Sequence, residues 1–223
     1  QIRGNADLQN GYNFNLDLRY EFFAGDGSMF SATAYYKHLK APIEQIQELS
    51  GGATVHSFRN AGNGMAAGLE MEFRKELVRN LRLGANASFM YTDVKLPEGG
   101  AYTNTQRALQ GASPYLVNID ATYSPRFGEK RQLDMALVYN LQGPRIQSVG
   151  IAGLGDVKQQ PVHTMNFAGS FKFNEKTTLK LQINDLLNQP VVFKQEVPHT
   201  GEKKEVERFK RGSSFEIGIT YNL

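Results

Sequence analysis

Apolar and polar residues alternate strictly through the segment 12–22, near the start of the chain. Polar or charged residues occupy the odd positions, and the even positions are Tyr12, Phe14, Leu16, Leu18, Tyr20 and Phe22. A period of two places these apolar side chains on one face of a β-strand, whereas a helix would distribute them around its circumference. The pattern therefore predicts an amphipathic strand.

The same alternation recurs along the chain and predicts nine strands, at 12–22, 30–36, 65–74, 81–92, 115–123, 132–142, 165–173, 179–184 and 214–223. Several of these segments keep the pattern for about eleven residues, roughly twice the length of an average globular strand. A tilted strand needs about 9–11 residues to cross a bilayer. The pattern favours an all-β fold, an antiparallel transmembrane β-barrel segment. A soluble β-sandwich with one buried and one wet face remains the alternative.

The connections between the predicted strands alternate in length. Short connections at 24–28, 76–80, 125–130 and 174–177 interleave with longer polar regions around 50–52, 94–112, 150–160 and 198–202. Aromatic residues lie near both ends of the apolar stripes, for example Tyr20 and Phe173 by short turns and Tyr91, Tyr115 and Tyr139 by the longer loops. Outer-membrane barrels combine tight periplasmic turns, longer external loops and two aromatic girdles. The alternation of short and long connections supports the barrel interpretation.

The number of predicted strands carries a further expectation. With the short turns on the periplasmic side, nine strands place the two ends of the chain on opposite sides of the membrane. Bacterial single-chain barrels have an even number of strands. We therefore expect residues 1–223 to be the C-terminal part of a longer barrel, whose upstream strands are absent from this chain.

Composition narrows the functional classes. The 25 basic and 22 acidic residues are spread evenly and leave a net charge of +3, so no basic face for nucleic acid is expected. The chain has no cysteine, which excludes disulfides and thiolate metal sites. No apolar run is long enough for a transmembrane helix.

Four segments, in chain order, resemble motifs of Bacteroidetes-type TonB-dependent receptors. They are 68–72 (GLEME), 109–118 (LQGASPYLVN), 139–146 (YNLQGPRI) and 184–190 (NDLLNQP). The resemblance extends over essentially the whole chain, and the ordered set is more specific than any one motif. The chain departs from the common barrel pattern at its end, Tyr221-Asn222-Leu223, where an aromatic residue is usual.

This resemblance implies a 22-stranded barrel with an N-terminal plug, the plug being absent from this chain. It further implies active, TonB-dependent uptake of a scarce ligand, such as a metal chelate or an oligomeric nutrient, across the outer membrane. The implied partners are outer-membrane lipid and lipopolysaccharide, TonB acting through the plug, and an extracellular ligand; no cofactor and no nucleic acid are expected. A passive outer-membrane channel is the alternative transport function.

Two regions are candidates for recognition. The segment 94–112 is the longest external connection, and its polar or aromatic residues Tyr102, Asn104, Gln106 and Arg107 make it the best candidate for ligand contact, although the sequence does not identify the ligand. A basic cluster near the outer end of the last strand is a hypothetical contact for lipopolysaccharide phosphates: Lys203, Lys204, Arg208, Lys210 and Arg211.

Catalytic and metal sites are not expected. The four histidines, His38, His56, His163 and His199, are far apart and have no partner at metal-ligand spacing. The segment 153–156 (GLGD) has no strand–helix context for a phosphate loop, and 111–113 (GAS) lacks the second glycine of a nucleophile elbow. An enzyme would need a Ser/His or Asp/His group at a rim of the barrel, and only His163 is near a loop end. We therefore expect a protein that is not an enzyme.

Overall fold

The computed structural model describes residues 2–96, 102–197 and 200–222. Within these residues the secondary structure is entirely β. The strands are β1 (Tyr12–Phe23), β2 (Met29–Lys40), β3 (Ile43–Ser50), β4 (Ala53–Asn60), β5 (Asn63–Val78), β6 (Leu81–Lys95), β7 (Gln106–Arg107), β8 (Tyr115–Tyr123), β9 (Arg126–Phe127), β10 (Arg131–Gln142), β11 (Arg145–Ser148), β12 (Val157–Gln159), β13 (Val162–Lys172), β14 (Thr177–Asn184), β15 (Val191–Glu196), β16 (Lys203–Phe209) and β17 (Ser214–Tyr221). No helix that could span a membrane is found among the described residues.

The nine patterned segments form one antiparallel sheet. Its strands follow the order β1-β2-β5-β6-β8-β10-β13-β14-β17, so each long strand pairs with the next long strand in the chain. The prediction of a strand at each segment is confirmed; of its final residues, Leu223 lies outside the described part. Several strands exceed their predicted ends, as β2 continues to Lys40 and β6 to Lys95. The apolar alternation marks the lipid-facing part of a strand, and hydrogen bonding extends beyond it.

The register brings the apolar residues of neighbouring strands onto one face. Across the sheet, Leu18 of β1 lies opposite Ala34, Ala34 opposite Leu69, Leu69 opposite Phe89, and Phe89 opposite Tyr115. Because side chains alternate with a period of two, a slip of one residue would move a whole apolar stripe to the polar face. The register therefore yields one continuous apolar face.

This apolar face is exposed. Leu18 is 76% exposed, Phe14 64% and Ile217 74%. Soluble monomers rarely expose contiguous apolar patches larger than a few hundred Å², and a sandwich would cover such a face with a second sheet. The described residues supply no such layer, since the other two sheets are small and built from connecting segments. The face is suited to hydrocarbon, which contradicts the sandwich alternative.

The sheet is open in this chain. β1 and β17 are the two edges of the strand path and do not pair with each other. Every residue of β1 is exposed, which agrees with its position at an edge. The described strands thus form part of a barrel wall.

One end of the sheet, called here the turn end, carries the short connections. At 24–28 the Ala24 amide donates to the Ser28 carbonyl, and Gly27 supplies the left-handed φ of 81° that the turn requires. At the β13–β14 connection, the Asn174 side-chain oxygen accepts hydrogen bonds from the amides of Lys176 and Thr177, both 2.9 Å long. The predicted short turns are confirmed.

The opposite end, the loop end, contains more regular structure than the sequence predicts. The β2–β5 connection is a hairpin of β3 and β4, and the last two long connections supply a four-stranded sheet in the order β11-β12-β15-β16. Within the longer connection 150–160, Val157–Gln159 forms the short strand β12, which the alternation did not predict. Such short strands have too few residues to show an alternation, and they form because neighbouring loops offer free backbone edges.

The hydrophobic core lies at the loop end. One cluster packs Ile46 and Ala61 against Val94, Leu96 and Tyr102, and a second contains Val162, Val191 and Phe193. The first cluster packs connecting segments against the end of β6, and the second packs β15 against the start of β13. The loop end is therefore held together by burial from water, whereas the sheet below it leaves its apolar face exposed.

The exposed apolar face generates a prediction. Leu137 lies at the middle of β10 on this face, and Val138 follows it on the polar face opposite Asn166 and Asp120. We expect Leu137→Arg to destabilise the full-length barrel in lipid vesicles by about 2–4 kcal/mol, and Val138→Arg by less than about 1 kcal/mol. Guanidinium unfolding followed by tyrosine fluorescence would measure both. Equal losses for the two variants would contradict the assignment of the faces.

Candidate functional site

A cavity of about 810 Å³ lies at the loop end. Its lining comes from three of the long connections and includes Asn104, Tyr115, Asp156, Lys158, Lys194 and Lys203. We call it the lysine cavity. A second cavity of about 480 Å³ shares Asn104, Pro144, Asp156 and Lys158 with it. Both volumes lie in the range of about 300–1,000 Å³ that small-molecule sites occupy.

Asp156 connects the loops around the lysine cavity. One of its carboxylate oxygens accepts a hydrogen bond from the Gly150 amide at 2.8 Å, and the other accepts one from the Asn104 side-chain amide at 3.2 Å. The residue is 8% exposed. A buried carboxylate needs such donors, because an unpaired charge away from water is costly. Asp156 therefore fixes the segment 102–105 against the connection between β11 and β12.

Two lysines face each other across the strand pair β12–β15. Lys158 lies directly opposite Lys194 in the register. Lys158 is exposed and Lys194 is partly buried. Residues directly opposite in an antiparallel pair have Cβ atoms about 4.5–5.5 Å apart, and like charges there are destabilising. The pair concentrates positive charge at the wall of the cavity.

The neighbouring carboxylate of Glu205 is held by another residue. Arg208 donates from Nε and Nη2 to the two oxygens of Glu205, both at 2.7 Å. The hydrogen bond from Arg208 lowers the pKa of the Glu205 carboxyl and raises the pKa of the guanidinium. Both groups are exposed. The bidentate pair leaves Glu205 engaged with Arg208, although Lys194 lies opposite it in the register.

The predicted recognition residues of the segment 94–112 divide into two groups; positions 97–101 lie outside the described residues. Asn104 lines both cavities, and Gln106 donates a 2.8 Å hydrogen bond to Asp93. Tyr102 and Arg107 are each 7% exposed, and Tyr102 belongs to a core cluster. Asn104 is thus placed to contact a ligand in either cavity, whereas Tyr102 is held in the protein interior.

Arg107 forms a buried ion pair with Glu44 of β3. The Nη2–Oε2 distance is 2.9 Å, and the side chains are 3% and 8% exposed. Burial raises the pKa of the Glu44 carboxyl, and the charge and hydrogen bond of Arg107 oppose this rise. Because the pKa of Glu44 is raised overall, the effect of removing its carboxylate from water outweighs the attraction of Arg107. The pair joins the β3–β4 hairpin to the neighbouring loop.

The predicted basic cluster is spread over β16 and the residues after it. Lys203 lines the lysine cavity, Lys204 lies 3.7 Å from Glu202, and Arg208 pairs with Glu205. Lys210 and Arg211 follow the strand and are exposed. Of the cluster, only Lys203 contributes to that cavity.

The three described histidines do not line either cavity. His38 and His163 lie on β2 and β13, His56 on β4, and His199 lies outside the described residues. His163 Nδ1 is 2.6 Å from the Tyr139 hydroxyl, and Ser113 donates to the Tyr115 carbonyl at 2.9 Å. The described residues contain no group of three His, Cys, Asp or Glu placed to hold a metal. His163 and Ser113 thus have local structural partners.

Sequence reasoning missed part of the lysine cavity. The segment 153–156, which was considered only as a phosphate loop and rejected, contributes Gly153, Gly155 and Asp156 to the lining, and Lys158 and Lys194 were not singled out. They are separated by about three dozen positions in the chain, and only the pairing of β12 with β15 brings them together. Each lysine is visible in the sequence as a single positive charge in a separate connection. The sequence does not show that the two positions face each other, because only the fold sets the register of β12 with β15.

An open antiparallel sheet with an exposed apolar face, short turns at one end and structured loops at the other defines a segment of an outer-membrane β-barrel. The chain matches the outer membrane protein beta-barrel family over residues 1–221, and it belongs to that family. It is an outer-membrane protein. The comparison with curated proteins found no match.

Solved structures of outer-membrane receptors share the fold. The copper transporter OprC has a TM-score of 0.68 at 13% identity, over 97% of this chain and 33% of that one. The ferric yersiniabactin uptake receptor FyuA from Yersinia pestis has a TM-score of 0.63 at 14% identity, over 94% and 29%. The siderophore receptor PirA from Acinetobacter baumannii has a TM-score of 0.63 at 15% identity, over 99% and 33%. The chain thus spans about a third of the length of these proteins, and the resemblance to TonB-dependent receptors is confirmed at the level of the fold.

The buried ion pair generates a prediction. Glu44→Leu leaves the Arg107 guanidinium buried, and because this group cannot lose its proton we expect a loss of about 3–5 kcal/mol in unfolding free energy. Arg107→Met leaves a carboxyl whose pKa is raised further, so the protein should be more stable at pH 5 than at pH 8. A raised folded-state pKa contributes stability below the unfolded-state value and loses it as the pH rises through the folded-state value.

Denaturant unfolding of the full-length protein at both pH values would measure these effects, with hydrogen exchange in β3 and β4 as the local reading. The double variant Glu44→Leu/Arg107→Met should lose less than Glu44→Leu alone, because it buries no charge. A larger loss for Arg107→Met than for Glu44→Leu at pH 5 would contradict this account of the pair.

Proposed function

We propose that this chain is the C-terminal barrel part of a TonB-dependent transporter that takes up a scarce ligand across the outer membrane. The observation that carries the proposal is the fold match to the copper transporter and the siderophore receptors, which extends over nearly the whole chain. The family assignment to an outer-membrane barrel supports the same class. The full-length protein would then contain about 22 strands and a plug upstream of this segment.

In this proposal the loop end faces the exterior and receives the ligand. The two cavities and their polar lining lie at this end, and burial and the Glu44–Arg107 pair make its loops a stable scaffold. Binding residues are commonly carried on loops that a rigid scaffold positions. The polar face of the long strands, with Arg19, Glu70 and Glu72 around another cavity, would line the lumen or contact the plug.

The same proposal assigns roles to TonB and to the outer-membrane lipid. TonB would deliver energy through the plug, and the outer-membrane lipid would surround the apolar face. The solved structures of similar fold are named as transporters and receptors, and a role without catalysis agrees with them. A passive channel is the second candidate, and it differs from a transporter in having an unobstructed lumen.

The sidedness can be tested with single cysteines, because this chain has none of its own. Glu202 and Glu175 are matched positions: each is an exposed carboxylate in a weak lysine contact, at 3.7 Å and 3.6 Å, and they lie at the loop end and the turn end. We expect a membrane-impermeant maleimide to label Glu202→Cys in intact cells and to label Glu175→Cys only after the outer membrane is permeabilised. Any other cysteine of the full-length protein would be replaced first. The reverse labelling would invert the orientation.

Coupling to TonB separates the two transport candidates. We expect the full-length protein to form a cross-linked product with TonB in intact cells, and to show little steady conductance in planar bilayers because its lumen is plugged. Guanidinium-induced release of the plug should open a conductance without altering the barrel. A steady open-channel conductance together with no TonB product would favour the passive channel and reject the transporter.

A further inference from the structure

Two positive charges lie directly opposite each other at the wall of the lysine cavity. In the part of the chain that the structure describes, neither Lys158 nor Lys194 forms a salt bridge, although the two lie directly opposite each other. The arrangement costs stability in the absence of a counter-charge, since like charges at opposed positions repel. A bound anion would convert this repulsion into attraction to a shared partner.

The nearby carboxylates are engaged elsewhere. Both oxygens of Asp156 accept hydrogen bonds from Gly150 and Asn104, and Arg208 occupies both oxygens of Glu205. Glu196 lies opposite Lys203 in the register and offsets the charge of that third lysine. Asp156 keeps its negative charge, because its donors are neutral, and Lys194 also attracts Glu205, which lies opposite it. The lining still contains more lysines than carboxylates, and Lys158 and Lys194 lie on adjacent strands.

We propose that the lysine cavity binds a phosphate group through Lys158 and Lys194. A phosphate monoester carries about −1.5 to −2 charge at pH 7 and has three acceptor oxygens, so two ammonium groups can share it. A carboxylate carries one charge and has two oxygens, so it attracts a pair of ammonium groups less strongly than a phosphate does. Lysine binds phosphate as a point charge and makes no demand for planar geometry. The cavity of about 810 Å³ leaves space for the molecule that carries the phosphate.

Two sources carry this chemistry. Tyr115, which lines the same cavity, belongs to the apolar face of the sheet, so a lipid A phosphate of the outer leaflet could reach the lysines from the membrane side. A soluble phosphorylated solute could enter from the loop end. In the second case the inference rests on the proposed function and names the chemical class of the transported ligand. The phosphate site itself depends on neither source.

The test uses full-length protein purified in detergent, with inorganic pyrophosphate as the probe in isothermal titration at constant ionic strength. We expect the double variant Lys158→Gln/Lys194→Gln to weaken binding about tenfold or more, because two charge-assisted contacts are lost. The matched control is Lys172→Gln/Lys176→Gln, which removes the same charge at the turn end and should leave binding unchanged. Heat-modifiable mobility on gels would show that each variant assembles as a barrel.

Lipopolysaccharide phosphorus that remains bound after purification distinguishes the sources. A fall in this phosphorus in the Lys158/Lys194 variant, together with weaker pyrophosphate binding, supports the lipid source. Weaker pyrophosphate binding with unchanged lipopolysaccharide supports a soluble phosphorylated ligand. Equal pyrophosphate binding by the original protein and the variant, or no binding by either, overturns the proposal. None of these readings depends on TonB, so a failure here is distinct from a failure of the transport proposal.

Discussion

In hydrocarbon, an unpaired backbone N–H or C=O group costs several kcal/mol, because no water is present to replace its partner. This constraint explains why the long strands pair in chain order, each with the strand before it and the strand after it. The outward edges of β1 and β17 have no strand partner among the described residues, so in a bilayer their backbone groups would need one. Once the backbone hydrogen bonds between strands are made, the side chains determine which face of the sheet is polar and which is apolar.

The source of stability changes along the strands. Within the apolar band, Leu18 and Ile217 are exposed and are not packed under another layer of the described residues, an arrangement suited to hydrocarbon. Above the band, water returns, and residues such as Ile46, Val94 and Tyr102 are stabilised by packing against one another. The Glu44–Arg107 pair lies among these loops, above the apolar band. The pKa of the Glu44 carboxyl is raised because burial removes the group from water. The pair fixes the arrangement of the loops more than it adds to their stability.

The charged residues at the loop end fall into two groups. Asp156 and Glu205 are satisfied by donors within the loops, which holds the loops in place. Lys158 and Lys194 are brought together by strand pairing, and neither forms a salt bridge among the described residues. A site for an anion therefore arises from the backbone register, since the register determines which side chains face each other. This is the physical link between the fold of the loops and the chemistry proposed for them.

The sequence by itself determined the wall of the barrel. The alternation in 12–22 and its repeats located the long strands, because a period of two is imposed by the strand backbone and by a two-sided environment of lipid and water. The short turns were equally readable, since Gly27 and Asn174 mark them through local backbone chemistry. Both signals act over neighbouring residues and survive without knowledge of the fold.

Only the tertiary structure decided the loop end. Tyr102 and Arg107 were predicted on polarity and position to be available for recognition, and packing against distant residues buried both. Lys158 and Lys194 acquired their relation through the pairing of β12 with β15, and Asp156 acquired its role through contact with Asn104. These contacts join residues far apart in the chain, and their geometry depends on how separate loops pack in water. No local periodicity encodes it, so the candidate site became visible only when the loops were folded together.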